Sequence, residues 1–278
     1  MLLAADTARP LGGEHPRLTV GESPKAPGSW MGKRVLFVDG KPGFELSFWC
    51  GTCPFLFQRE PLVSTTYSLE QMNDGLAAGL DDLDEEVITT YDALLRQGRY
   101  LPMLLSVAPR LVAPGGREDY FSHEQVQTWG VDGASGLPEY PATFYYRTFE
   151  TPVRDEGHLY EFVVPLQPPI RNDREQVEFY RARLAESSTP TALAMSILDV
   201  CTPVEAEPGR DWYEHWCLTH FLLDGHHKMQ AAADTGASLR LLSLLAVDVC
   251  LAGPEEIARV TELRKQPRQL RDSSTTVG

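Results

Sequence analysis

Apolar residues recur along the chain in two rhythms, and each change of rhythm marks an element. Residues 33–38 and 44–49 are strand-like runs flanking Asp39-Gly40-Lys41-Pro42-Gly43, the form of a β-hairpin with a five-residue turn. Over residues 82–97, Leu83, Val87, Ile88, Tyr91, Leu94 and Leu95 fall at helical spacing, with acids in the first turn, Arg96 in the last and Gly98 as the stop. Residues 101–112 read as strand, and proline, glycine and aspartate make 113–141 loop-rich. Residues 143–151 and 158–166 predict a second hairpin, and 172–186 a helix with Val177, Tyr180 and Leu184 on one face.

Towards the C-terminus the pattern predicts strands over 193–200, 216–223 and 239–248, and helices over 226–234 and 254–265. The last helix is announced by Pro254 at its first position and by Glu255 and Glu256 in its first turn. Residues 1–29 hold proline, glycine and charge without a sustained period and predict a disordered arm, with order beginning near Trp30; 267–278 predict a disordered tail. There is no internal repeat. The fold class is therefore α+β, with a β-hairpin-rich N-terminal portion (residues 30–188) packed on a C-terminal portion (189–266).

One junction carries candidate chemistry. The apolar run Phe221-Leu222-Leu223 ends at Asp224, breaks at Gly225 and continues as His226-His227-Lys228-Met229-Gln230-Ala231-Ala232-Ala233, an alanine-rich helix. The first N–H groups of a helix lack intrahelical partners and carry the positive end of the macrodipole, so a phosphate is stabilised there. Gly225 lets a ligand approach the backbone closely, and Asp224, at the strand end, can face a reacting hydroxyl or a metal ion. The same residues also fit an ordinary turn with Asp224 as helix cap and Gly225 in the loop. Two histidines and a lysine in the first helical turn oppose the dipole, however, and point to an anion beside them.

The strand, Asp-Gly-His-His-Lys box, helix and following strand (Leu239-Arg240-Leu241-Leu242-Ser243-Leu244-Leu245) resemble the core of the ParB/sulfiredoxin-like superfamily over roughly residues 190–262. The wording is most similar to that of the free-serine kinases, whose box ends in arginine where this chain has Lys228. Lysine keeps the charge but loses the bidentate fork. The resemblance implies a ParB-like C-terminal fold and a nucleotide-dependent kinase that phosphorylates a hydroxyl of a serine-like metabolite, using ATP or ADP with Mg²⁺. It places Asp224 and His226 at the reacting centre and Gly225, His226, His227 and Lys228 on phosphate. The relatives also use an earlier glutamate as base, for which Asp199, Glu205 and Glu207 are the candidates by position. A non-catalytic, ParB-like nucleotide-binding module is the alternative.

Composition narrows the partners. The chain has 278 residues, 42% of them hydrophobic, and a formal net charge of −14. Nucleic-acid affinity rests on lysine and arginine neutralising phosphates, so this balance argues against a grip on DNA, while leaving room for a local basic pocket. No apolar run is long enough to span a membrane and the N-terminus lacks the form of a signal peptide, which predicts a soluble cytoplasmic protein with no membrane partner.

Five cysteines in such a chain predict reduced thiols. Cys50-Gly51-Thr52-Cys53 has the spacing of a redox dithiol or half a metal site, and equally of a tight aromatic-lined turn with both thiols buried, so a thiol-redox enzyme is a further alternative. Cys217 and His220 could supply the other half of a zinc site by spacing. Three residues apart in a strand, they face opposite ways, so no metal site is predicted.

Overall fold

The structure, a computed structural model, describes residues 1–23, 32–49, 51–54, 58–59, 73–130, 143–154, 157–203 and 214–266. In chain order its elements are β1 (Leu2–Ala5), β2 (Arg9–Leu11), β3 (Leu18–Glu22), β4 (Lys33–Val38), β5 (Lys41–Phe48), β6 (Gln58–Arg59), α1 (Asn73–Ala78), α2 (Glu85–Asp92), β7 (Gly98–Val107), β8 (Arg110–Val112), α3 (Glu124–Trp129), β9 (Tyr145–Arg154), β10 (Gly157–Pro165), α4 (Arg174–Ala185), β11 (Thr191–Cys201), β12 (Glu214–Asp224), α5 (His226–Thr235), β13 (Leu239–Ala246) and α6 (Pro254–Lys265). The fold is α+β.

The strands form two sheets. The larger runs β1-β7-β13-β11-β12-β10-β9-β8, with β2 also on β7, and the smaller runs β3-β4-β5-β6. The large sheet is mixed: β10–β12 and β11–β13 are parallel, the other pairs antiparallel. Only Ala108 and Pro109 separate β7 from β8, which stand near opposite ends of the strand order. Three Cα steps reach at most about 11 Å, so the sheet must curl until those ends meet.

Each face of the curled sheet buries a cluster. One packs Leu193, Met195, Ile197, Cys217 and Phe221 against Leu18, Leu36 and Phe44 of the small sheet and Ile88 and Tyr91 of α2. The other packs Leu105, Leu159, Trp216, Leu218 and Leu241 against Met229 and Ala232 of α5 and Ile257, Val260 and Leu263 of α6. The period-2 alternation in β11–β13 is what divides these residues between two faces.

Several expectations are corrected. Residues 2–22 hold three strands: β1 and β2 pair with β7, and β3 pairs with β4, so this stretch is no arm. Edge pairing supplies the order that the sequence lacks as periodicity. The boundary at 189 is no seam either, because β13 pairs with β7 and β12 with β10 across it. The first hairpin turns on Asp39 (φ 50°) and Gly40 (φ 73°) alone, with Val38 opposite Lys41. Two successive positive φ values give the tight turn whose twist matches the strands, which shortens the expected five-residue loop. Helix α2 starts at Glu85 because the Asp84 carboxylate accepts the N–H groups of Glu86 and Val87. Among the described residues no helix is long and apolar enough to cross a membrane.

Candidate functional site

β12 delivers Asp224 to its end, Gly225 turns the chain, and α5 begins at once. Gly225 has φ 93°, and a Cβ there would stand 2.7 Å from Ala192 Cβ and 3.0 Å from its Cα. The position therefore excludes every side chain, by backbone conformation and by space. Gly225 gives α5 no side-chain cap, and the N–H groups of His227 and Lys228 find no acceptor among the described residues.

Lys228 is not where a phosphate ligand should be. Its Nζ donates to Asp224 Oδ2 and to Thr191 O, both at 2.9 Å, beneath the Tyr180 ring, and the side chain is 2% exposed. One turn of helix brings residues i and i+4 together, so Lys228 reaches back to Asp224 and neutralises it. The Asp224 side chain is 16% exposed, and its Oδ1 has no partner among the described residues. Burial, then the nearby Asp224 charge, pushes the Tyr91 and Tyr180 hydroxyls above the usual tyrosine range, so a wall of neutral phenols surrounds the carboxylate.

Both histidines are committed as well. His226 Nε2 accepts the N–H of Gln167 at 3.2 Å, and His227 Nε2 accepts that of Asp173 at 3.1 Å. A ring nitrogen that accepts carries no proton, so each imidazole is held neutral and ties α5 to the segment entering α4. Burial lowers the His227 pKa below its ordinary value, with Asp173 and Asp224 opposing. Asn172 completes the tether, donating to His226 O at 3.3 Å and Gln230 Oε1 at 2.7 Å. The expected basic cluster is thus one buried ion pair and two neutral hydrogen-bond acceptors.

The candidate bases do not converge here. Asp199 lies opposite Cys217 while Asp224 lies opposite Leu193, a displacement of six residues along β11, or about 20 Å. Asp199 is bound instead to Arg34, Oδ2 to Nη1 at 2.7 Å, with Leu251 N–H on Oδ1 at 3.0 Å. Glu205 and Glu207 lie outside the described residues, as does Cys50.

Cys53 is disulfide-bonded, which corrects the expectation of a fully reduced chain, and its partner lies outside the described residues. The Gly51–Thr52 stretch before Cys53 packs on the end of β11 and on Trp129: Thr202 N–H donates to Gly51 O at 2.7 Å and Trp129 Nε1 to Thr52 O at 3.0 Å. Cys201, Cys217 and Cys250 are free thiols whose pKa burial pushes up, Cys250 to about 12, so none is a ready nucleophile. Cys217 and His220 do face opposite sides, joining different clusters.

Sequence reasoning missed a second polar assembly. Glu161, His220, Ser196 and Ser243 stand side by side on β10, β12, β11 and β13, all fully buried. Ser196 Oγ shares hydrogen bonds with His220 Nδ1 at 2.6 Å and Ser243 Oγ at 2.9 Å, and His220 Nε2 is 3.8 Å from Glu161 Oε2. Arg264 of α6 meets that oxygen at 2.9 Å and Thr148 donates to the other at 2.7 Å. The order serine, histidine, carboxylate resembles a catalytic relay, but solvent reaches none of it, so the assembly is an ionic core. Its sequence signal is a polar residue within each apolar strand: Glu161, Ser196, His220 and Ser243.

No protein family, no curated protein and no solved structure matches the chain.

Proposed function

We propose that the β12–α5 junction binds phosphate in a nucleotide-dependent phosphotransferase acting on a hydroxyl of a small, serine-like metabolite. The observation that carries this reading is the juxtaposition of an uncapped helix start, opened by a glycine that admits no side chain, with the half-sheltered Asp224 carboxylate. In this arrangement the backbone N–H groups of His227 and Lys228 hold the phosphate, and the side chains do not. Lys228 holds Asp224 in place through Oδ2 and leaves Oδ1 to accept the proton of a substrate hydroxyl. His226 and His227 fix the helix start against the 167–174 segment. Mg²⁺ arriving with the nucleotide would be held mainly by the substrate phosphates and would neutralise charge on the transferring group, leaving Asp224 Oδ1 to the substrate hydroxyl.

A thermal-shift screen with ATP, ADP, CTP and phosphate, with and without Mg²⁺, tests the reading, because a ligand that binds only the folded state raises the melting temperature. A shift for one nucleotide supports it; no shift with any of them removes it. The commitment of every basic side chain at the junction also favours a second reading, a nucleotide-binding module without catalysis. Asp224→Asn separates the two: nucleotide binding retained with turnover lost supports the transferase, and absence of turnover in the unaltered protein with nucleotide bound supports the module. A thiol-redox role has only the Cys53 disulfide in its favour.

A further inference from the structure

A cleft of about 210 Å³ opens between β3 of the small sheet and the start of β7, and Asp224 is not among its lining residues. Its floor is apolar: Leu18, Val20, Met195, Ala246 and the ring of Tyr100 line it, each at most 4% exposed. The polar groups around it fall into two sets. Asp248 is spent, accepting from Arg99 N at 2.8 Å and Arg99 Nε at 2.9 Å, and the Tyr100 hydroxyl donates to Arg96 O at 2.8 Å. Arg96 and Gln97 also line the cleft, and neither side chain makes a hydrogen bond or ion pair to any described residue. The uncommitted groups are thus one cation, which only donates, and one neutral carboxamide, in a chain whose net charge is −14.

The rim that carries them is held from both sides. Gly13 N–H donates to Leu95 O at 2.9 Å, and Arg17 and Leu18 N–H donate to Leu94 O at 2.9 and 3.0 Å. Gly12 lies so close that a Cβ on it would stand 2.4 Å from Arg96 O. A rim fixed in this way loses little freedom on binding.

Size and surface then select the ligand. The volume lies below the range of about 300–1,000 Å³ for larger ligands, which favours a ligand smaller than a nucleotide. The Met195 thioether and the Tyr100 ring favour an aromatic body. Arg96 pairs best with a planar carboxylate, which it can grip with two parallel hydrogen bonds. We infer that this cleft is a binding site for a single-ring aromatic monocarboxylate, its ring on Met195 and Tyr100 and its carboxylate on Arg96. The site is independent of the phosphate junction.

The test uses the full chain with ¹³C-methyl methionine, the Met195 signal being assigned through Met195→Leu, and titrates phenylacetate against phenylacetamide. The Met195 methyl is expected to shift saturably with phenylacetate and at least about tenfold more weakly with the neutral amide, the scale of one charge-assisted hydrogen bond. Arg96→Gln, at an exposed position, should cut carboxylate affinity about tenfold and leave the amide unchanged. A Met195 signal that moves with neither probe, equal affinities for the two, or unchanged carboxylate affinity in Arg96→Gln would overturn the inference.

Discussion

Two polar assemblies sit on the same central strands and have opposite fates. The Glu161–Arg264 assembly lies at mid-strand beneath α6, with both charged side chains at most 2% exposed and histidine and serine hydroxyls in relay. The Asp224–Lys228 pair lies at the end of β12, its lysine equally buried but its carboxylate 16% exposed. The first has the residue types of catalysis and no access. The second has ordinary residue types and an edge. Strand position therefore decides between them: at mid-strand both neighbours and a covering helix enclose a side chain, whereas at the strand end the turn into α5 leaves one carboxylate oxygen free.

Removing half of the sealed pair tests that contrast most sharply. Glu161→Ala should cost about 3–5 kcal/mol, because Arg264 would be left buried without its counter-charge. Glu161→Ala with Arg264→Met should recover much of that loss. Urea denaturation of the single and double variants decides it, and a loss below 1 kcal/mol for Glu161→Ala would break the comparison.

Acid should act on the same pair. Burial alone would raise the Glu161 pKa, but Arg264, His220 and Thr148 outweigh it and bring it from 4.5 to about 2. A carboxylate depressed on folding contributes stability that is complete above the unfolded pKa and is lost as pH falls through the folded one. The contribution, about 3 kcal/mol from the size of the shift, should therefore disappear between about pH 4.5 and 2. Unfolding free energy measured across that window should fall less steeply in Glu161→Gln.

At the junction the effects should be smaller. Lys228→Met, which keeps the stem and removes the charge, should cost about 2–3 kcal/mol by stranding Asp224, and Asp224→Asn in the same chain should restore part of it. If Lys228→Met abolished nucleotide binding without changing stability, Lys228 would be a phosphate ligand after all. Gly225→Ala should cost about 2 kcal/mol from backbone strain and contact with Ala192, read from the urea midpoint.

The smallest effect concerns His227. Its pKa is lowered on folding, chiefly by burial, so the neutral ring's contribution is complete above pH 6.5 and is lost as pH falls below it. Half-exposure should hold this to less than about 1 kcal/mol. An NMR titration of the imidazole should show the lowered midpoint, and Asn at 173 should lower it further by removing a neighbouring charge.

Much of the local structure could be read from the chain. The 226–235 and 254–265 helices, the paired runs around 154–157 and the strands at 191–201, 214–224 and 239–246 follow from period and from caps, which depend on neighbours a few residues away. Asp224, Gly225 and the helix start were legible for the same reason. The commitment of Lys228 to Thr191 was not, since that carbonyl is 37 residues distant. Nor was the tether of His226 and His227 to Gln167 and Asp173, more than 50 residues away.

The sequence by itself determined the succession of strands and helices from residue 143 onward, the α+β class and the sharp turn at Gly225, because hydrophobic period, capping and glycine conformation act within one or two turns of chain. The tertiary structure alone decided that residues 2–22 join the sheets, that β7 and β8 close the curl, and which polar groups remain free. Those outcomes rest on strand register and on pairing between distant residues, and each such pairing spends a charge or hydrogen bond that the sequence shows only as available.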